Sequence, residues 1–373
     1  MPVKHPVVNH LLTQSYVRNY MTALWVARLS GKTVRSMSKN TSKPAQFIRV
    51  YQALDFTVVN GANLGDPISF ADELDLDDTY ELRRNAKPYR LSLIAGASGQ
   101  FTIATDTDLG RVGATIHLDS SLTLMSANGT TTEMLVLVEV DGNGDVADVY
   151  VLPLAPIEPR TGYSLVGFDH ETARQKYAEL ACVSFTRGTQ ITMSSGAQKP
   201  VEALEIGDQI LTRDDGIQQL RWIGQSTHRA VGEFAPICIR AGALHNENDL
   251  LVSAEHRLFI YQRSDELGAG RNEVLVRARH LINGDSVVLR EGGFVDYFQL
   301  LFDEHQIIYA EGIAAETLLI DTRTRQALPE DVSKSLTTSL PDHEARPHME
   351  YEVGENLLKN LDATELLRRA STR

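Results

Sequence analysis

The stretch that decides the fold is residues 184–212, SFTRGTQITMSSGAQKPVEALEIGDQILT. Within it, residues 190–193 and 209–212 are short, apolar and β-branched, and Gly, Pro and Asp residues bound them, which is typical of strands between turns. The pattern continues downstream through the segments 220–223, 236–240, 250–252, 257–261, 274–278, 286–290, 297–302 and 306–309. The sequence therefore predicts an all-β module over residues 182–322.

Two Gly-Asp pairs occur in similar apolar settings within this module. They are Gly207-Asp208 and Gly284-Asp285, which lie 77 residues apart. Each pair is typical of a tight turn between strands. Their spacing indicates a degenerate internal duplication, with two copies of a β-subdomain in the module.

Two further blocks complete the pattern, residues 251–259, LVSAEHRLF, and residues 297–312, YFQLLFDEHQIIYAEG. In order and spacing, these blocks and the opening SFTRGT resemble the Hint module shared by Hedgehog autoprocessing domains and inteins. The resemblance is closest to bacterial Hint-containing proteins. Ser253 and His256 match that family's Thr-x-x-His block, with Ser in place of Thr. The resemblance covers about 140 of the 373 residues and implies a mainly β, pseudo-twofold horseshoe.

The chemistry of self-cleavage explains why such residues would be grouped. A hydroxyl or thiol directly after a peptide bond can attack the preceding carbonyl and convert the amide into an ester or thioester. An imidazole such as that of His256 can protonate the leaving nitrogen, and Ser253 can help to stabilise the oxyanion. In the closing block, Asp303 and His305 are candidates for activating the nucleophile or the group that later attacks the ester.

Two residues are candidates for the nucleophile. Keeping the Phe-Thr-x-Gly-Thr register places Ser184 at the family's nucleophile position, where Cys is usual. Cys182 lies two residues earlier and would need a two-residue bulge. A serine hydroxyl is far less ionised than a thiol at neutral pH and depends on a positioned base. We favour Ser184 and keep Cys182 as the alternative.

Two polar clusters could be mistaken for metal sites. Residues 141–145, DGNGD, resemble the start of a calcium loop, but Leu152 stands where the bidentate Glu would be required, so we interpret the segment as a hairpin turn. Residues 245–249, HNEND, read as a polar loop. The two cysteines, Cys182 and Cys238, cannot form a four-cysteine zinc site. We expect no metal and no cofactor.

The remaining chain divides by composition. We predict a basic helix and linker over 1–50, a β-rich domain over 51–167, a helical linker over 168–181 capped by Asp169, and a polar tail over 323–373. The tail carries one amphipathic helix near 355–369, whose leucine stripe we expect to dock onto the body. The stripe consists of Leu357, Leu358, Leu361, Leu366 and Leu367.

The charge distribution excludes some functions. The net charge is −13, although residues 1–50 carry eight Lys or Arg and no Asp or Glu, so the rest of the chain is strongly acidic. An acidic body disfavours nucleic-acid binding, because phosphate contacts need a basic surface. No apolar stretch is long enough for a secretory signal or a transmembrane segment. The protein is thus expected in the cytoplasm, or exported without a recognisable N-terminal signal.

Two functions fit these features. The first is an autoprocessing protein whose substrate is its own N-terminal segment, cleaved before Ser184 or Cys182 and transferred to water or to another amine or thiol. Splicing is disfavoured because residues 312–317, GIAAET, contain no His-Asn pair, and no sterol-binding segment follows for cholesterol transfer. The second is a degenerate Hint fold that no longer cleaves and serves as an interaction or secretion-related module.

Overall fold

A computed structural model describes residues 45–96, 100–320, Thr324, Leu328, 348–358 and 363–372. The predicted N-terminal helix and linker, apart from residues 45–50, lie outside this range, as do Leu361 and most of residues 321–347. Within it, Cys182 and Cys238 are both buried. None of the described helices is long and apolar enough to cross a membrane.

The N-terminal part is a nine-stranded antiparallel sheet. Its strands are β1 (Ala45–Gln52), β2 (Phe56–Asn60), β3 (Thr79–Leu82), β4 (Tyr89–Ala95), β5 (Phe101–Ile103), β6 (Thr115–Ser126), β7 (Thr131–Val140), β8 (Val146–Pro153) and β9 (Gly162–Asp169). Their order is β2-β3-β9-β6-β5-β4-β1-β8-β7, and an additional pairing of β6 with β7 closes six of them into a barrel. Among the described residues, β-structure is already present at Ala45, six residues before the predicted start of the β-rich domain.

One helix connects this barrel to the rest of the chain. It is α1 (Glu171–Ala181), and the Asp169 carboxylate accepts hydrogen bonds from the Glu171 and Thr172 amides at 2.7 and 3.2 Å, which confirms the predicted cap. Tyr177 enters the apolar cluster of the barrel and meets Phe101 edge-on. The helix is therefore anchored to the barrel, and its last residue directly precedes Cys182.

The C-terminal module consists of short strands, as predicted. They are β10 (Phe185–Thr186), β11 (Gln190–Thr192), β12 (Gln198–Pro200), β13 (Gln209–Leu211), β14 (Ile217–Gln219), β15 (Trp222–Arg229), β16 (Ile237–Ile239), β17 (Leu250–Val252), β18 (Arg257–Tyr261), β19 (Glu273–Arg277), β20 (Val287–Leu289), β21 (Phe294–Leu301), β22 (Ile307–Ala310) and β23 (Ile313–Glu316). One sheet has the order β15-β21-β10-β17-β16-β20, the other β12-β11-β22-β23-β18-β19, and β13-β14 form a hairpin. One apolar cluster draws on both sheets. The mainly β fold class is thereby confirmed.

The glycines of the two Gly-Asp turns have the conformation expected of them. Gly207 has φ +101° and Gly284 has φ +76°, values at which a side chain would be strained. Between β7 and β8, the Asp141 carboxylate accepts hydrogen bonds from the Asn143 and Asp145 amides, so residues 141–145 form a hairpin turn as interpreted. Each of these segments therefore forms a tight turn.

The C-terminal segment packs onto the module. Its described residues include α2 (Glu355–Leu358) and α3 (Ala363–Thr372), both of which overlap the helix predicted near residues 355–369. Leu358 and Leu367 are buried in the apolar cluster of the module, whereas Leu357 is 38% exposed. Part of the predicted leucine stripe therefore docks onto the body.

Candidate functional site

Ser184 lies where α1 gives way to the first strand of the module, and it is almost fully buried. Its amide N–H donates to Ser253 Oγ at 3.1 Å. Its own Oγ accepts a hydrogen bond from Gln299 Nε2 at 2.9 Å. Both the nitrogen of the Val183–Ser184 peptide bond and the hydroxyl that follows this bond are thus held by side chains from other parts of the module.

Ser253 holds the chain on both sides of that peptide bond. It lies between β17 and β18, and its hydroxyl donates to the Cys182 carbonyl oxygen at 3.1 Å. Its amide donates to the Ser184 carbonyl oxygen at 3.0 Å. With the bond from the Ser184 amide, Ser253 makes three contacts to residues 182–184, which fixes the conformation of this segment.

His256 contacts the same segment from the start of β18. Its Nδ1 lies 3.0 Å from the Ser184 carbonyl oxygen, and because a carbonyl only accepts, Nδ1 carries the hydrogen. The ring meets Phe185 at 4.5 Å between centroids and is fully buried. This burial lowers the pKa of His256 to about 4, although the Ser184 carbonyl and Glu316 favour the charged form. The imidazole is therefore neutral at physiological pH.

Cys182 is placed differently. Its amide donates to the Ala178 and Glu179 carbonyls at the end of α1, at 3.1 and 3.3 Å. Its side chain is buried in an apolar cluster with Leu301, Leu318, Ile320 and Leu328.

Gln299 reaches Ser184 because a neighbouring strand leaves space for it. On one side of β21, Gln299 lies opposite Gly224 of β15. On the other side, extending the pairing of β10 with β21 by one residue places Ser184 opposite Gln299. A Cβ at Gly224 would lie 2.7 Å from Gln299 Oε1 and 2.1 Å from an atom of the Trp222 ring. Any side chain at position 224 would therefore displace the amide that contacts the Ser184 hydroxyl.

Asp303 and His305 take part in other contacts. Asp303 forms a two-oxygen ion pair with Arg221 at 2.6 to 2.9 Å, and its side chain is 49% exposed. His305 is buried with Nε2 3.0 Å from Glu316 Oε1. The cleft beside Ser184 is lined by neither residue. The structure thus brings Ser184, Ser253 and His256 together and places Asp303 and His305 elsewhere.

A buried network of charges lies next to His256, and no sequence motif indicated it. Arg257 pairs with Glu316 at 2.8 Å and with Glu352 at 3.3 Å. Arg277 pairs with Glu352 at 2.7 Å and with Glu255 at 2.8 Å. Burial acts to raise the pKa of Glu255, but the surrounding arginines outweigh it and lower this pKa to about 2. The strands that hold His256 are therefore joined to the C-terminal segment through Glu352.

The cleft beside Ser184 contains a second histidine that sequence reasoning did not select. It is His228 of β15, at a position that no family block covers and that only the strand order brings near Ser184. The lining residues are Glu179, Leu180, Ser184, Ser226, His228, Glu233, Phe234, Ser253, Ala254, Tyr297 and Gln299. Among the residues that the structure describes, no group of three His, Cys, Asp or Glu side chains is arranged to hold a metal ion.

Comparison with known proteins identifies the module. Residues 183–322 match the family model described as a Hint domain. A crystal structure of a variant of the Ssp DnaB mini-intein matches 37% of this chain and 97% of its own, at 10% identity and a TM-score of 0.25. A mutant of that mini-intein variant matches 36% of this chain and 91% of its own, at 11% identity and a TM-score of 0.25. A search of curated proteins finds no match.

Proposed function

Residues 183–322 form a Hint domain, and from this premise we propose that the chain cleaves itself at the Val183–Ser184 peptide bond without splicing. The observation that carries the proposal is that Ser253 and His256 both hold Ser184, the residue that follows this bond. Ser253 Oγ accepts from the Ser184 amide at 3.1 Å, and His256 Nδ1 donates to the Ser184 carbonyl at 3.0 Å. A hydroxyl, an imidazole and a held amide nitrogen are the groups that an acyl shift requires.

The proposed step is an isomerisation. Ser184 Oγ attacks the Val183 carbonyl carbon, and a C–O bond forms while the C–N bond breaks. The Ser184 nitrogen gains a proton and becomes a free amine. Neutral His256 donates its Nδ1 hydrogen to the leaving nitrogen, which belongs to the same residue as the carbonyl that Nδ1 contacts, and the proton released by the hydroxyl restores the neutral imidazole at Nε2.

The contacts of Cys182 support Ser184 as the nucleophile. For Cys182 to act, its amide would have to leave the end of α1, where it makes two hydrogen bonds, and its sulfur would have to leave an apolar cluster. Ser184 needs neither change, because its amide already contacts Ser253. We assign no part in this step to Asp303, which is paired with Arg221, or to His305, which lies beside Glu316.

A second function, a non-cleaving interaction module, is favoured by one contact. The Ser184 hydroxyl accepts a hydrogen bond from the amide of Gln299. In the described part of the chain, no titratable side chain is hydrogen-bonded to this hydroxyl. A serine without a base at its oxygen is a weak nucleophile.

One measurement separates the two functions. The full chain is incubated at neutral pH for hours and its intact mass is followed, with His256→Ala as the matched variant. Cleavage yields two fragments, residues 1–183 and 184–373, and His256→Ala should slow their appearance by about 100-fold or more. A chain that stays whole under all conditions, hydroxylamine included, would favour the interaction module.

A further inference from the structure

A second imidazole lies in the cleft beside Ser184 and is paired with a hydroxyl. Ser226 and His228 are alternate residues of β15, so their side chains share a face, and both are half-buried while the residues between and beside them are exposed. His228 Nε2 and Ser226 Oγ share a hydrogen bond of 3.0 Å. A hydroxyl within hydrogen-bond reach of an imidazole is the arrangement in which a base activates an oxygen nucleophile.

The His228 ring is held in place on its flat side. It stacks on Phe234 with 4.3 Å between ring centroids and 5° between planes. Phe234 is positioned in turn by Tyr297, whose hydroxyl donates to the Phe234 carbonyl at 2.9 Å. Burial lowers the pKa of His228, against the effect of Glu179 and Glu133, so the ring favours the neutral form that can accept a proton.

Sheet register places this pair on the same face as Ser184. Ser226 lies opposite Tyr297, and Tyr297 lies opposite Thr186, which is two residues after Ser184. Ser226 and Ser184 are thus two strands apart and two residues apart along the strands, roughly 10 Å across and about 7 Å along the sheet. His228 lies opposite Val295, two residues further along β15, and its ring nitrogen reaches back to the Ser226 hydroxyl. The cleft that both residues line has room for about one water molecule.

We propose that His228, hydrogen-bonded to Ser226, is the general base that directs water onto the Ser184 ester, so that the acyl acceptor of this protein is water. The proposal rests on the acyl shift proposed above. The water oxygen bonds to the Val183 carbonyl carbon, and the bond from that carbon to Ser184 Oγ breaks. His228 takes a proton from the water and returns it to Ser184 Oγ, leaving a carboxylic acid at Val183 and a free hydroxyl at Ser184.

The experiment separates formation of the ester from its hydrolysis. Release of the N-terminal fragment is followed by mass for the unaltered chain, His228→Gln, Ser226→Ala and the control His117→Gln, each with and without hydroxylamine. Hydroxylamine attacks esters without help from a base, so it reports ester formation alone. For His228→Gln we expect spontaneous release to fall about 100-fold and hydroxylamine-dependent release to be retained. Ser226→Ala should also slow spontaneous release, whereas His117→Gln, which replaces a histidine of the barrel, should behave like the unaltered chain.

The outcomes are distinct. Unchanged spontaneous release in His228→Gln would overturn the proposal. If His228→Gln loses both kinds of release, Ser226→Ala decides: selective loss of spontaneous release supports the proposal, and loss of both kinds in both variants overturns it. No release from the unaltered chain even with hydroxylamine would mean that no ester forms, and the proposed function would then fail together with this inference.

Discussion

Burial of a neutral imidazole at the site has a measurable effect on stability in acid. The pKa of His256 is lowered to about 4, against 6.5 for a free histidine, because the ring is removed from water. Between these values the unfolded chain binds a proton that the folded chain does not. The free energy of unfolding must therefore fall as the pH falls below 6.5, and the loss is complete below about pH 4.

The two pKa values set the size of this effect. Integrating the difference in bound protons gives a loss of about 2 kcal/mol between pH 7.5 and pH 5, which rises to about 3 kcal/mol at pH 4. Glutamine does not titrate, so His256→Gln removes this contribution. His280, whose pKa burial likewise lowers to about 4, is present in both chains and cancels from the comparison.

The assay is urea unfolding at pH 7.5 and pH 5 in a Ser184→Ala background, which keeps the chain whole. On acidification, the chain with His256 should lose about 2 kcal/mol more than His256→Gln, whatever the two stabilities are at pH 7.5. The control His117→Gln, in the barrel, should show the pH dependence of the parent. If His256→Gln loses as much stability as its parent, the imidazole is not buried in the neutral form, and the reasoning about its proton transfer is wrong.

Two further predictions concern the nucleophile and the C-terminal segment. Cleavage should be lost in Ser184→Ala and survive in Cys182→Ala. Hydroxylamine should release the N-terminal fragment and dithiothreitol should stimulate release little, because thiols exchange readily with thioesters but attack oxygen esters poorly. Loss of cleavage in Cys182→Ala alone would move the nucleophile two residues upstream. Glu352→Gln should destabilise the chain by about 3 kcal/mol in thermal or urea unfolding, because it leaves the buried Arg257 and Arg277 without part of their compensating charge. Glu350→Gln, at an exposed position, is the control, and its free energy of unfolding should lie within about 0.5 kcal/mol of the parent's. Equal effects of the two variants on stability would contradict a role for the buried network.

Local sequence patterns predicted most strands of the module, although not β10, β12, β14 or β23. Strands such as Leu250–Val252 and Arg257–Tyr261 have the predicted bounds, because each is a short apolar run closed by turn residues. The cap of α1 by Asp169 and the turn at Asp141 were predicted for the same reason, since their hydrogen bonds join neighbours in the chain. The helix predicted near residues 355–369 overlaps α2 and α3, and the apolar spacing of its leucines correctly indicated that Leu358 and Leu367 face the body.

The structure places the two predicted pairs of site residues differently. Ser253 and His256 were selected because they occupy one short block whose spacing matches the Hint pattern. Asp303 and His305 were selected in the same way, but their partners, Arg221 and Glu316, come from other strands and draw them into an ion pair and a buried charge network. The position of a residue in a sequence block was enough to select it as a candidate. The side chains that surround it in the fold decided which contacts it makes.

The sequence by itself determined that this chain contains a β-module of Hint type, where most of its strands fall, and that a serine stands at the start of the module. These properties follow from hydrophobic period, turn chemistry and motif order, which act over a few residues. Only the tertiary structure decided that Gln299 holds the Ser184 hydroxyl, that Ser226 and His228 line its cleft, and that the distant Glu352 completes the network beside His256. Those contacts depend on strand order and register between segments that are 42 or more residues apart in the chain, where local periodicity carries no information.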